Sequence, residues 1–122
     1  MKSNNHKEAQ KIIRDYYISI GWIAIIEHYI KGKKIDVLAQ NIKTKRTIAN
    51  EIQLTSRHFL ENIRLDFKAG CDEVAIICID NSTLEEIKRK VQLNLDKNLL
   101  GKIRFQQIEE FIPHSRNNNT AK

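Results

Sequence analysis

The stretch Glu-Val-Ala-Ile-Ile-Cys-Ile, residues 73–79, constrains the fold more than any other part of the chain. Its apolar residues run on without alternation, so as a strand it is apolar on both faces and has to be covered on both. In a chain of 122 residues there is room for one core-bearing domain. The cover for this strand must therefore come from helices flanking it in the same domain.

Those helices are legible in the spacing of apolar residues. In "NNHKEAQKIIRDYYISIG" the residues Ala9, Ile12, Ile13, Tyr16, Tyr17 and Ile20 make one buried stripe, with Asn5 as N-cap and Gly21 as stop. "WIAIIEHYI", bounded by Gly21 and Gly32, reads as a strand. Residues 35–39 and 47–54 read as two more. Thr55 or Ser56 can cap a second helix, in which Phe59, Leu60, Ile63 and Phe67 form an apolar arc that Gly70 ends. After the 73–79 strand, Ser82 and Glu85 make a capping box for a third helix, buried through Leu84, Ile87 and Val91. "KIRFQQIEEF" reads as the last strand. Residues 1–112 thus form one domain, and 113–122 a polar tail with nothing to bury. The order is α-β-β-β-α-β-α-β. Hairpin-linked strands followed by a helical crossover into a buried strand predict an α/β fold, a mixed sheet with helices on both faces.

Lysine and arginine number 21 against 15 acids, a formal net charge of +6 that favours a polyanionic partner. No stretch approaches the roughly 20 apolar residues of a membrane span, and the N-terminus lacks the apolar run of a signal peptide. The composition predicts a soluble, cytoplasmic protein with no membrane partner. Cys71 and Cys78 are too far apart for a CxxC ligand pair and read as reduced, structural thiols.

Against this background three polar residues stand out. Asp36 interrupts the apolar second strand, and Glu51 and Gln53 stand two apart in the third, hence on one face. An antiparallel pairing through a turn near residues 40–46 brings Asp36 beside Glu51 and Gln53. Two carboxylates in a partly buried place repel, and a hard divalent ion between them removes the conflict. Mg²⁺ suits such a pair, because it takes one or two carboxylates together with waters and phosphate oxygens. Each acid can also be a strand-edge charge paired with a nearby lysine.

The order of elements, with "K-I-D" (Asp36) in the second strand and "E-I-Q" (Glu51, Ile52, Gln53) in the third, resembles the PD-(D/E)xK nuclease superfamily of restriction endonucleases and archaeal Holliday-junction resolvases. The resemblance implies a restriction-endonuclease-like core. It also implies Mg²⁺ or Mn²⁺ held by Asp36, Glu51 and the main-chain carbonyl of Ile52, and metal-dependent hydrolysis of a DNA backbone. Glu8 stands where some members carry a helix glutamate, although capping the first helix also accounts for it. Gln53 replaces the motif lysine. A lysine there would supply a charge for the attacking water and the phosphorane, whereas glutamine can only orient. Lys34 and Lys68 are the candidates to supply that charge.

Lys43, Lys45 and Arg46 form a basic hairpin tip, and Arg57, Arg64 and Lys68 a basic stripe. Either group is a solvated surface or a set of contacts to DNA phosphates, which give affinity and salt dependence without sequence specificity. The expected protein is a DNA endonuclease, or the nuclease domain of a larger DNA-processing complex, acting alone or as a homodimer. The alternative on the same fold is a catalytically lapsed module that binds nucleic acid or protein. His6, His28, His58 and His114 show no metal-ligand spacing.

Overall fold

The computed structural model describes residues 4–113. The tail expected at 113–122, and His114 with it, lies outside them but for Pro113. Helix α1 (Asn4–Ser19) leads into strands β1 (Ile23–Ile30), β2 (Lys33–Gln40) and β3 (Thr47–Ile52). Helix α2 (Phe59–Lys68), strand β4 (Glu73–Cys78), helix α3 (Asn81–Asn94), a single helical turn α4 (Lys97–Leu100) and strand β5 (Ile103–Gln107) follow. A 3₁₀ turn, Ile108–Phe111, is the last element among the described residues. The sheet order is β1-β2-β3-β4-β5. The first two pairings are antiparallel and the last two parallel, so the fold is α/β with a mixed five-stranded sheet.

Two consecutive crossovers, β3-α2-β4 and β4-α3-β5, step across the sheet in one direction. With a single handedness they put both helices on the same face. Phe59 and Ile63 of α2 and Leu84, Ile87 and Val91 of α3 accordingly share one core with Ile35, Ala49, Val74 and Ile76. On the other face α1 packs Ala9, Ile13 and Tyr17 against Val37, Ile48, Ala75 and Ile77, with Phe111 of the 3₁₀ turn beside them. The central strand β4 is thus covered on both sides, as its unbroken apolar run requires. Ile76 is fully buried. Ile76→Ala should leave a cavity that costs about 3 kcal/mol, read as a lower denaturant midpoint at unchanged slope.

The helix starts differ from the expectation. Helix α2 begins after His58, which has φ 60° and makes no side-chain cap bond, rather than after Thr55 or Ser56. Helix α3 is capped by Asp80, whose carboxylate accepts from the Ser82 N–H, Ser82 Oγ and Thr83 Oγ1. Ser82 thus stands inside the helix, because aspartate two residues earlier offers two acceptor oxygens where serine offers one. Both cysteines are buried and free, and burial pushes the Cys71 thiol up to about 11 and the Cys78 thiol up to about 12. Neither is a thiolate near neutrality. Among the described residues no helix is long and apolar enough to cross a membrane.

Candidate functional site

The site is built where β1 and β2 turn over together. Ile35 and Leu38 pack on the α2 side of the sheet, but Val37 and Ala39 on the α1 side, so simple alternation fails at Asp36. In β1, Ile26 packs on the α1 side and Ile30 on the α2 side. The register is unbroken around this point, with Ile26 opposite Val37 and His28 opposite Ile35. Between them Glu27 takes φ 54°, a left-handed value unusual for any residue but glycine. The hairpin is closed by Lys31 (φ 49°) and Gly32 (φ 82°), the positive φ pair that a two-residue turn between twisted strands needs.

This twist also frees Asp36. The β2–β3 ladder ends at the pair Val37 and Asn50. Two residues further along β3, the Ile52 N–H donates instead to Asp36 Oδ2 at 2.8 Å. The carboxylate replaces a strand backbone as acceptor, and the β2 acid is held against β3 next to Glu51. Two side chains of α1 flank it. His6 Nε2 is 3.5 Å from Asp36 Oδ1, and Gln10 Nε2 donates to the Asp36 carbonyl at 3.2 Å and to Glu27 Oε2 at 3.5 Å. Helix α1 therefore turns His6 and the buried Gln10 toward β2, while Glu8 is exposed. Helix α1 already includes Asn5, so this asparagine is not its N-cap.

Glu51 points to the other face, toward α2, and is almost entirely buried. Its Oε2 is 2.9 Å from Lys33 Nζ, and the same ammonium is 3.0 Å from Oδ1 of Asp66, which is completely buried in α2. Lys33 also donates to the Lys34 carbonyl at 2.9 Å. Burial raises the Glu51 carboxyl well above the usual range. The neighbouring Asp66 and then the Asp36 charge push the same way, and Lys33 opposes them. Burial by itself would lower the Lys33 ammonium, but Glu51 and Asp66 outweigh it and the net shift is upward.

A consequence for stability follows. An acid whose folded pKa is raised contributes stability that is present below its unfolded pKa, near 4.5, and lost as the pH rises through the folded value. The wild type should therefore lose thermal stability relative to Asp66→Asn as the pH climbs from 4.5 toward neutrality. Melting curves for the two proteins across that window check it, and parallel curves would count against it.

Gln53 is buried on the α2 side as well, but its carboxamide is engaged. Nε2 donates to the carbonyls of Thr55 and Arg57, both at 3.2 Å, and Oε1 accepts from Asn62 at 3.3 Å. It staples the 53–58 loop to the start of α2. Of the two lysines expected to stand in for the motif lysine, Lys34 supplies only its carbonyl to this cluster and Lys68 is exposed on α2. The lysine on Glu51 is Lys33. Lys33, Lys31 and Lys68 line a surface cleft with Leu65 and Ala69.

The basic groups separate. Arg64 and Lys68 are exposed one turn apart on α2, and Arg57 is exposed in the loop before it, on the side of Glu51. Lys43, Lys45 and Arg46 sit in the β2–β3 turn, beyond Thr47 and so about 13 Å along the strand from Glu51. Arg46 is 3.9 Å from Glu73.

The donor set suits a hard cation. Glu51 and Asp66 bring two buried carboxylates against the Lys33 ammonium, and burial first, then the neighbouring acids, raises the Glu51 carboxyl. Among the described residues no three His, Cys, Asp or Glu side chains cage an ion. The fit is to an open site of one or two carboxylates, with waters and phosphate oxygens in the other positions, which is how Mg²⁺ is commonly held. Asp36 and Glu51 are the acids that such a site would use. Compared with known protein families, with curated proteins and with solved structures, the chain matches none of them.

Proposed function

We propose that this chain is a metal-dependent DNA endonuclease on a PD-(D/E)xK, restriction-endonuclease-like core, acting by itself or within a larger DNA-processing complex. The observation that carries the reading is the bond from the Ile52 N–H to Asp36 Oδ2, which holds the acid of one strand beside the Glu51 of the next. Asp36 and Glu51 are the acids of the "K-I-D" and "E-I-Q" stretches, and the order of elements supports the reading. Mg²⁺ or Mn²⁺, when bound, would polarise the phosphodiester and acidify a water. The chain's own residues do the rest. Asp36 and Glu51 offer oxygen ligands, His6 and Gln10 hold Asp36 and its strand in place, and Arg57, Arg64 and Lys68 offer positive charge to the phosphate backbone.

A second reading has its own observation. With its carboxamide committed to Thr55, Arg57 and Asn62, Gln53 supports the loop rather than a reacting water. That arrangement suits a lapsed module which binds DNA through its basic side without cutting it. Purified protein incubated with supercoiled, branched and single-stranded DNA, in Mg²⁺, Mn²⁺ or EDTA, separates the two. Cutting in either metal and none in EDTA is the expected result. Salt-sensitive binding with no cutting on any substrate would leave only the binding module.

A further inference from the structure

We infer that β1 is a self-association edge, on which a second copy of the chain pairs antiparallel through Trp22–Ile26. Strand β1 lies at one end of the sheet order, so its backbone is paired on one side, with β2, and open on the other. Exposed edges are commonly guarded by charges or proline. Here the ten residues "YISIGWIAII", 17–26, hold neither, in a chain of which 30% is charged. Ala24 and Ile26 pack on the α1 side, so Ile23 and Ile25 face the α2 side, where they are 44% and 42% exposed. Ile18 and Ile20, from the chain entering β1, and Ile42, just beyond the Gln40 that pairs with Ile23, are exposed at the same end. Single exposed isoleucines need no explanation, but five around one open edge do.

The symmetry of the segment identifies the occupant as a second copy. In the antiparallel register centred on Ala24, Trp22 lies opposite Ile26 of the second copy, Ile23 opposite its Ile25, and Ala24 opposite its Ala24. Each of these positions meets an apolar one, the cross-strand pairing that stabilises a sheet. Moving the centre by one residue sets Ile23 against Glu27 or Ile25 against Gly21. The backbone limits the pairing to the same segment, because Gly21 (φ 89°) bounds it on one side and the left-handed Glu27 (φ 54°) turns the strand over on the other. A two-fold axis at Ala24 thus joins the two sheets into one. A stable interface buries about 800 Å² per partner, more than so short a ladder supplies, so the neighbouring isoleucines contribute and the dimer is weak. A nucleic acid finds no cation along this segment.

Sedimentation velocity over a range of concentrations reads the association, and the emission of Trp22, the single tryptophan, reads whether β1 takes part. The expected result is a monomer–dimer equilibrium with a Kd of about 10–100 μM, and a Trp22 blue shift with the same midpoint. Ile25→Lys and Ile23→Glu are changes at exposed positions that leave the melting temperature within a few degrees of wild type. Each buries an unpaired charge at two symmetric places, so each should weaken the dimer at least about 30-fold. Mixed in equal amounts, the two variants bring the introduced acid opposite the introduced lysine at one place and leave Ile25 opposite Ile23 at the other. The mixture should therefore dimerise to within about tenfold of wild type. A dimer that survives both single changes, or variants that stay apart when mixed, would overturn the pairing. A wild type that stays monomeric throughout would overturn it as well and leave the edge to a segment of a different protein. DNA cleavage enters none of these readouts, so the nuclease reading is tested separately.

Discussion

Asp36→Asn should abolish DNA cutting, lowering the rate at least about 100-fold, while the protein melts within a few degrees of wild type. The asymmetry comes from the two things the carboxylate does. As a structural group it accepts the Ile52 N–H at 2.8 Å, and the asparagine carbonyl can accept the same bond from the same place. As the ligand proposed here it would supply negative charge to a hard cation, and a neutral amide oxygen would supply much less. Asp36→Ala removes both and is expected to lose stability as well. Comparing the two variants by melting curve and by cleavage rate separates the roles. If Asp36→Asn cut at the wild-type rate, Asp36 would be only the acceptor that ends the β2–β3 ladder.

The second large effect is on stability. Lys33→Met should destabilise the protein by about 3–5 kcal/mol at neutral pH, seen as a melting temperature lower by roughly 10–20 °C. Methionine fills a similar volume, so the loss is electrostatic. Glu51 and Asp66 are both buried, and Lys33 is the ammonium that contacts each of them. Without it the two acids face each other uncompensated, and one must take up a proton for the fold to hold. Adding Asp66→Asn should return more than half of the loss, because a single remaining acid is more easily accommodated. Equal melting temperatures for wild type and Lys33→Met would mean that the buried triad contributes nothing net.

Most of the fold was legible in the chain. The unbroken apolar run of β4 demanded cover on two faces, and the helical stripes of α1, α2 and α3 supplied it. Asp36 and Glu51 could be singled out because acids interrupt strands rarely and for a reason. The rest of the site was hidden by assumptions that hold only on average. Strand alternation pairs Lys34 with Asp36 on one face. It says nothing of the twist at Glu27 and Asp36 that leaves Asp36 on the α1 side and sends Lys33 to Glu51 on the other. Asp66 follows Ile63 by three residues and Phe59 by seven, squarely on the buried stripe of α2, and that spacing could have revealed it. An acid on an apolar stripe was passed over because acids are so seldom fully buried. Gln10 escaped notice beside Glu8 for a similar reason. A carboxylate suggests chemistry where an amide does not, yet α1 turns the amide inward and leaves the acid exposed.

The most direct test of the central claim is the conversion of supercoiled plasmid to nicked or linear DNA by wild type and by Glu51→Gln, in Mg²⁺ and in Mn²⁺, with EDTA as the blank. Glutamine keeps the shape of residue 51 and lets Lys33 remain on its carbonyl, so a difference in cutting reports the charge on the acid. Conversion by wild type in metal, with the Glu51→Gln lanes indistinguishable from EDTA, is the predicted result. Equal conversion by both proteins, or plasmid left intact by wild type in both metals, would contradict a hydrolytic site at Asp36 and Glu51.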